Sequence, residues 1–295
     1  MTGSSAAVTP SPVWELGATL GEGPVWVERD SALWFVDIKR KQIHRYDPET
    51  AGKKSWDAPE QIGFLLPADE DGFVAGLQSG LYRFDEASGG FDRIVEVDAG
   101  HPDNRLNDGV VDPSGRLWFG TMDDSERAKT GAFYCFHRGR LTRTPLVDIA
   151  ITNGPAISPD GRLLYFVDTL KGTIGVADIH DDGSIGDPRP FVRIDTSEGH
   201  PDGPTIDSEG HVWISLFGGW EARRYSPGGE LVDRVRFPVA NITKIAFGGA
   251  DLRTAFATTA RLHLSAEQVA ERPLSGSLWQ FRVAVPGIPC PLVRL

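Results

Sequence analysis

The sequence predicts an all-β fold, a six-bladed β-propeller. Three observations carry that reading: short strands set between turn residues, almost no helical periodicity, and one turn–strand unit that recurs six times. The strand signals are runs rich in β-branched and aromatic residues, such as Leu33-Trp34-Phe35-Val36, Gly72 to Leu77, Leu117-Trp118-Phe119, Leu163 to Val167 and Val212-Trp213-Ile214. A turn precedes each: Asp71-Gly72, Ser114-Gly115, Asp160-Gly161 and Glu209-Gly210, with Asp30-Ser31 and Ala250-Asp251 as weaker equivalents. The markers Trp34, Val74, Trp118, Tyr165, Trp213 and Phe256 lie 40, 44, 47, 48 and 43 residues apart. A step of about 40–50 residues with several strands in it is the length of a propeller blade. A β-sandwich would not need the same unit six times over.

The remaining elements follow from that frame. Residues 13–295 read as one propeller domain, and residues 1–12, small, polar and proline-containing, as a flexible N-terminal tail. The runs Val13-Trp14-Glu15-Leu16 and Leu278 to Val283 are expected to pair in one blade, which would close the ring and remove an open strand edge. Ser265 to Glu271 is the one helix signal, with Ser265 as N-cap and Gln268 three residues on.

Composition narrows the function. A formal net charge of −11 argues against nucleic acid and against anionic membrane surfaces. No apolar run of about 18 residues offers a membrane span, and the N-terminus has no basic, then apolar, leader pattern. With two isolated cysteines, Cys135 and Cys290, a reducing cytoplasm is the expected compartment. Any metal would then use oxygen or imidazole ligands. No obligate protein partner is expected.

In a propeller the innermost strand of each blade lines a central axis, so equivalent positions meet there. Counting back 11 or 12 residues from the six markers gives Glu22, Ile62 or Gly63, Asn107, Asn153, Asp202 and Lys244. Five of these six levels thus carry a polar or charged group. Taken singly, Asn-Gly and Asp-Gly pairs are turn formers; four in one phase are harder to explain so. Asp108 is read as bracing a strand start. Converging carboxylates lose hydration and repel each other, so they call for a cation. We expect Glu22, Asn153 and Asp202 to hold one divalent metal ion directly. Ca²⁺, Mg²⁺ or Mn²⁺ suits such oxygen donors, and Zn²⁺ or Fe²⁺ could serve.

The motifs around these residues resemble the gluconolactonase/SMP-30 (regucalcin-like) family along nearly the whole chain. They include Gly21-Glu22-Gly23-Pro24-Val25-Trp26, Arg105-Leu106-Asn107-Asp108-Gly109, Asp112-Pro113-Ser114-Gly115, Gly120-Thr121-Met122, Thr152-Asn153-Gly154-Pro155, Pro201-Asp202-Gly203 and Phe247-Gly248-Gly249. The resemblance implies a six-bladed propeller that hydrolyses aldonolactones with one divalent metal. It places the metal on Glu22, Asn153 and Asp202, and substrate contacts on Arg105 and Asn107. It also implies an acidic substrate contact after Met122. The segment Asp123-Asp124-Ser125-Glu126 offers three carboxylates, of which Asp124 is our candidate. Thr243-Lys244, where many members carry Thr-Ser, and Ala58-Pro59-Glu60-Gln61 look more like bacterial xylonolactonases.

The expected activity is therefore hydrolysis of a sugar lactone, with a pentonolactone such as xylonolactone favoured over gluconolactone or arabinonolactone. Asp202 is the expected general base, Arg105 and Asn107 would orient ring hydroxyls, and Lys244 would contact hydroxyls or the oxyanion. His101 and His200 lie just upstream of Asn107 and Asp202; they could border the mouth and touch substrate, but ordinary loop histidines are the expected reading. GxSxG is absent, which disfavours an α/β-hydrolase esterase. Two alternatives stand beside this: a non-catalytic metal-binding or scaffold propeller, and a promiscuous esterase or phosphotriesterase on the same metal.

Overall fold

A computed structural model describes residues 8–69 and 72–295. Six four-stranded antiparallel sheets form a closed ring of blades, as the spacing predicts. The innermost strands are Gly21–Val27, Ile62–Pro67, Asn104–Val111, Thr152–Ile157, His200–Ile206 and Ile242–Gly248, opening blades one to six. All six markers sit in the second strand of their blades. Asp71, half of one predicted turn, lies outside the described residues, as do residues 1–7 of the predicted tail.

The ring closes as expected, two residues earlier than expected. Ser11–Trp14 pairs antiparallel with Leu278–Arg282, joining Ser11 to Gln280 and Trp14 to Leu278. Ser11 and Pro12 therefore belong to the closing strand, not to the tail. Proline fits there because an edge strand leaves its missing N–H unneeded. Trp14 packs edge-on against Phe35 and His44 of blade one, at ring separations of 5.6 and 5.3 Å. The helix is Ala266–Glu271, started by a capping box in which Ser265 and Gln268 satisfy each other's backbone N–H.

Side chains explain why the turns recur. In three blades the marker tryptophan donates its indole N–H to an aspartate in the preceding turn: Trp34 to Asp30 at 3.0 Å, Trp118 to Asp112 at 2.9 Å and Trp213 to Asp207 at 3.1 Å. The Asp112 and Asp207 carboxylates also accept two backbone N–H groups each from their own turn. One carboxylate thus fixes the hairpin and anchors the largest core residue beside it.

Every inner strand breaks register at the level of the polar ring. The irregularities fall between Glu22 and Val25, Ile62 and Phe64, Leu106 and Gly109, Asn153 and Ala156, Pro201 and Pro204, and Ile242 and Lys244. Bulges re-aim side chains and free backbone from pairing, which is what a site on an axis needs. Blade two adds no side chain here because there is no room. A Cβ on Gly63 would lie 2.4 Å from the Asn107 carbonyl oxygen.

The last residues cross the lower face. Pro286 O accepts from Ser208 N in blade five and Gly287 N donates to Leu252 O in blade six. Val293 N donates to Pro67 O in blade two, and Arg294 N to Gly115 O in blade three. Ile288, Pro289, Cys290 and Pro291 lie between these anchors and wall a mostly apolar cavity at the lower end of the axis. No helix among the described residues is long and apolar enough to cross a membrane.

Candidate active site

Glu22, Arg105, Asn107, Asn153 and Asp202 line one pocket at the upper end of the axis. They come from four blades and meet because each sits at the bulge of an inner strand or just before it. All five are buried residues.

The Glu22 and Asp202 carboxyls form the floor of the pocket. Burial pushes the Glu22 carboxyl up to about 8, the Asp108 charge pushes the same way, and the Gly23 N–H opposes at 3.0 Å. Asp202 is raised well above the carboxylate range, by burial first and then by the charges of Glu22 and Asp108. Among the described residues no side-chain hydrogen bond reaches either carboxylate; Gly23 and Gly203 offer only backbone N–H. Two buried carboxyls whose ionised forms repel each other and that lack side-chain donors are a site that a dication would complete.

Amides and hydroxyls set the third donor. Asn153 Nδ2 donates to Thr169 Oγ1 at 2.9 Å, which turns its Oδ1 toward the pocket. That oxygen also accepts from Asn107 Nδ2 at 3.0 Å, and Asn107 Nδ2 is itself held by Thr152 O at 2.6 Å. Two carboxylates and one amide oxygen are hard-cation donors. Among the described residues no cluster of three His, Cys, Asp or Glu side chains exists. A third oxygen for such a cation would have to come from an amide, and the Asn153 Oδ1 faces the same pocket.

Arg105 forms the opposite wall. Its Nη1 donates to Asn107 Oδ1 at 2.6 Å and its Nε to Asp124 Oδ1 at 2.8 Å. Asp124 does not line the pocket. It is held behind Arg105 by Lys39 Nζ at 2.5 Å and Gln61 Nε2 at 3.0 Å. The carboxylate that does line it is Glu126, which accepts from His263 Nε2 at 3.2 Å across the mouth.

Lys244 shares the level but not the pocket. Its ammonium lies beneath the floor, 2.5 Å from Asp108 Oδ1, and its stem walls the lower cavity. Gly203 makes the passage, since a Cβ there would meet the Lys244 side chain at 2.7 Å. Asp108 does brace the strand, accepting from Gly109 N at 2.7 Å and Gly154 N at 3.1 Å. His200 lines the pocket, whereas His101 pairs with Asp98 instead. Sequence reasoning missed Glu126, His263 and the apolar rim of Leu20, Met122, Ile151, Leu170, Phe217 and Leu262. Glu126 stood in the acidic segment already singled out; the others carry no periodic signal.

The fold and this geometry can be set beside known proteins. A family model described as the SMP-30/gluconolactonase/LRE-like region matches residues 20–261. The chain belongs to that family. It is 36% identical over 278 residues to a 6-deoxy-6-sulfogluconolactonase of Pseudomonas putida, covering 93% of this chain and 95% of that one. It is 37% identical over 265 residues to an L-arabinolactonase of Azospirillum brasilense, covering 88% and 87%. A calcium-binding regucalcin from Agrobacterium tumefaciens superposes with a TM-score of 0.93 at 29% identity, covering 98% of each chain. The family's matched region holds all of Glu22, Arg105, Asn107, Asn153 and Asp202.

Proposed function

We propose that the protein is a divalent-metal-dependent lactonase that opens a sugar aldonolactone to the aldonic acid. The observation that carries this reading is the meeting of Glu22, Asn153 and Asp202 with Arg105 and Asn107 in one pocket. The enzyme class agrees with the sugar lactonases among its relatives, and the cation with a relative described as calcium-binding.

Glu22, Asn153 and Asp202 would hold the ion, which when bound supplies Lewis acidity for a carbonyl oxygen. The rest is the work of this chain. Arg105 and Asn107 offer fixed donors to the ring hydroxyls. Asp202 accepts a proton as water adds to the carbonyl carbon. The bond from that carbon to the ring oxygen then breaks, and the proton passes to the oxygen that leaves as a hydroxyl. The apolar rim formed by Leu20, Met122, Phe217 and Leu262 limits water around the reacting ester.

Within this class we favour a pentonolactone such as xylonolactone. The preference rests on Thr243-Lys244 and residues 58–61. Of these, Gln61 reaches the pocket wall through Asp124 and Arg105. The cytoplasm is our proposed compartment, in keeping with free Cys135 and Cys290. The test is a pH-stat assay on D-xylono-, L-arabinono- and D-gluconolactone, corrected for spontaneous opening, before and after chelation and with divalent ions restored. Turnover lost on chelation and regained with metal supports the reading and ranks the sugars. No turnover of any lactone with any ion removes it.

A further inference from the structure

The floor of the pocket carries an ion pair that neither metal nor substrate binding accounts for. Lys244 comes from blade six and Asp108 from blade three, on opposite sides of the axis. Their side chains are 8% and 2% exposed, and the ammonium is 2.5 Å from the carboxylate. Stability alone is a poor reason to keep such a pair, since apolar residues of similar volume often serve as well or better. Its neighbours give the better reason. Asp108 accepts from Gly154 N at 3.1 Å, next to Asn153, and the Lys244 stem packs against Gly203, next to Asp202, where a Cβ would meet it at 2.7 Å.

The charge count is then informative. With a cation bound and both carboxyls ionised, Glu22, Asp108 and Asp202 would bring three negative charges to the floor, and Lys244 one positive. Arg105 adds little to this balance because Asp124 accepts from it at 2.8 Å. Two negative charges remain. We propose that Lys244 is a built-in counter-charge that cancels Asp108, so that the floor matches one divalent cation and disfavours a trivalent one. This rests on the reading of Glu22, Asn153 and Asp202 as the cation ligands. Asp108 is kept because its carboxylate ties Gly109 and Gly154 together and so holds the strand of Asn153. Lys244 removes the electrostatic side effect of that brace.

The experiment is calorimetric titration of chelator-stripped protein with Ca²⁺ and La³⁺ at pH 8. The proteins are wild type, Asp108→Asn, Lys244→Met and the double variant. At surface-like dielectric a unit charge close to a dication shifts its affinity by about tenfold or more. D108N leaves the ammonium uncompensated and should weaken Ca²⁺ binding at least tenfold. K244M should strengthen it to a similar degree, and La³⁺ by half as much again in logarithmic terms, because the effect scales with ion charge. The double variant should return to within about threefold of wild type. If both single variants weaken binding, the pair is only a structural support and the inference fails. Should K244M not fold, the double variant decides: near-native Ca²⁺ affinity supports the inference and lost affinity overturns it. If wild type itself binds neither ion, the metal site falls first and takes this inference with it.

Discussion

Arg105 Nε donates to Asp124 Oδ1 at 2.8 Å, and the accepting carboxylate stands behind the pocket wall rather than in it. Asp124 is a positioning residue: Lys39 and Gln61 hold it, and it holds the guanidinium. Replacing it with alanine leaves Arg105 buried with Asn107 and the Leu106 carbonyl as its remaining partners. We expect D124A to lower kcat/KM by about 10–100-fold, mainly through KM, as a misplaced donor does. Ca²⁺ affinity by calorimetry should stay within about twofold. An unchanged KM would show that Arg105 does not touch substrate.

Asp202 should separate chemistry from stability. Substituting Asn removes the proton acceptor and one charge of the repelling pair. Turnover of a gluconolactone should fall by about a thousandfold. The metal-free variant should nevertheless melt higher than metal-free wild type, since it no longer carries a carboxyl whose ionised form is opposed by burial and by the charges of Glu22 and Asp108. Relief of about 1 kcal/mol corresponds to ~2–4 °C in a chain of this size. A saturating divalent ion, at about 100 times its Kd, should restore the wild-type protein by ~2.7 kcal/mol and D202N by much less. Differential scanning calorimetry with and without chelator reads both.

His44 should make stability fall with acid. Its ring is buried against Trp14 and Phe35, Nδ1 meets Ser55 Oγ at 2.7 Å, and Nε2 has no partner among the described residues. Burial pushes the imidazolium down to about 4; Asp37 opposes and Arg40 assists. In the unfolded chain it titrates near 6.5. Between those values the unfolded state binds a proton that the folded state refuses. The contribution is therefore whole above pH 6.5 and is lost as pH falls toward 4, for a total of about 3 kcal/mol. Urea unfolding of His44→Gln against wild type, at pH 7.5 and pH 4.5, should show that much less acid loss in the variant. Parallel pH curves would refute it.

The closing strand should be indispensable while remaining far from the chemistry. Deleting residues 1–18 exposes the edge of Leu278–Arg282, and we expect aggregation on size-exclusion chromatography. Trp14→Ala is gentler. It removes a half-buried ring that packs on Phe35 and His44 and should cost about 2–3 kcal/mol. Its kcat should match wild type. A monomeric, normally melting truncation would show that blade six closes without it.

The fold was legible because turn chemistry repeats: each blade reuses the same punctuation, and the second-strand markers fall in phase. That Glu22, Asn107, Asn153 and Asp202 meet in one pocket was legible for the same reason. Their failures share a cause. Side chains alternate faces along a strand, so a count of 11 or 12 residues finds the level and leaves the direction open. Glu22 and Asp202 point up; Lys244, equally in phase, points down to Asp108. Asp124 was misplaced because a motif locates a segment, and only packing decides which of its carboxylates reaches the cavity. Glu126 and His263 lie outside the strands, in connections where no period applies.

The C-terminal segment gives the molecule a front and a back. Ile288 to Pro291 sit over the lower end of the axis, and the Lys244–Asp108 pair closes the path above them. On the proposed function, reactant and product would share the doorway past Glu126 and His263. Traffic would then be a queue rather than a stream, with the newly opened acid competing for the pocket it has just left. Inhibition by product should be competitive with the lactone, and clearing the exit should matter as much as breaking the ester.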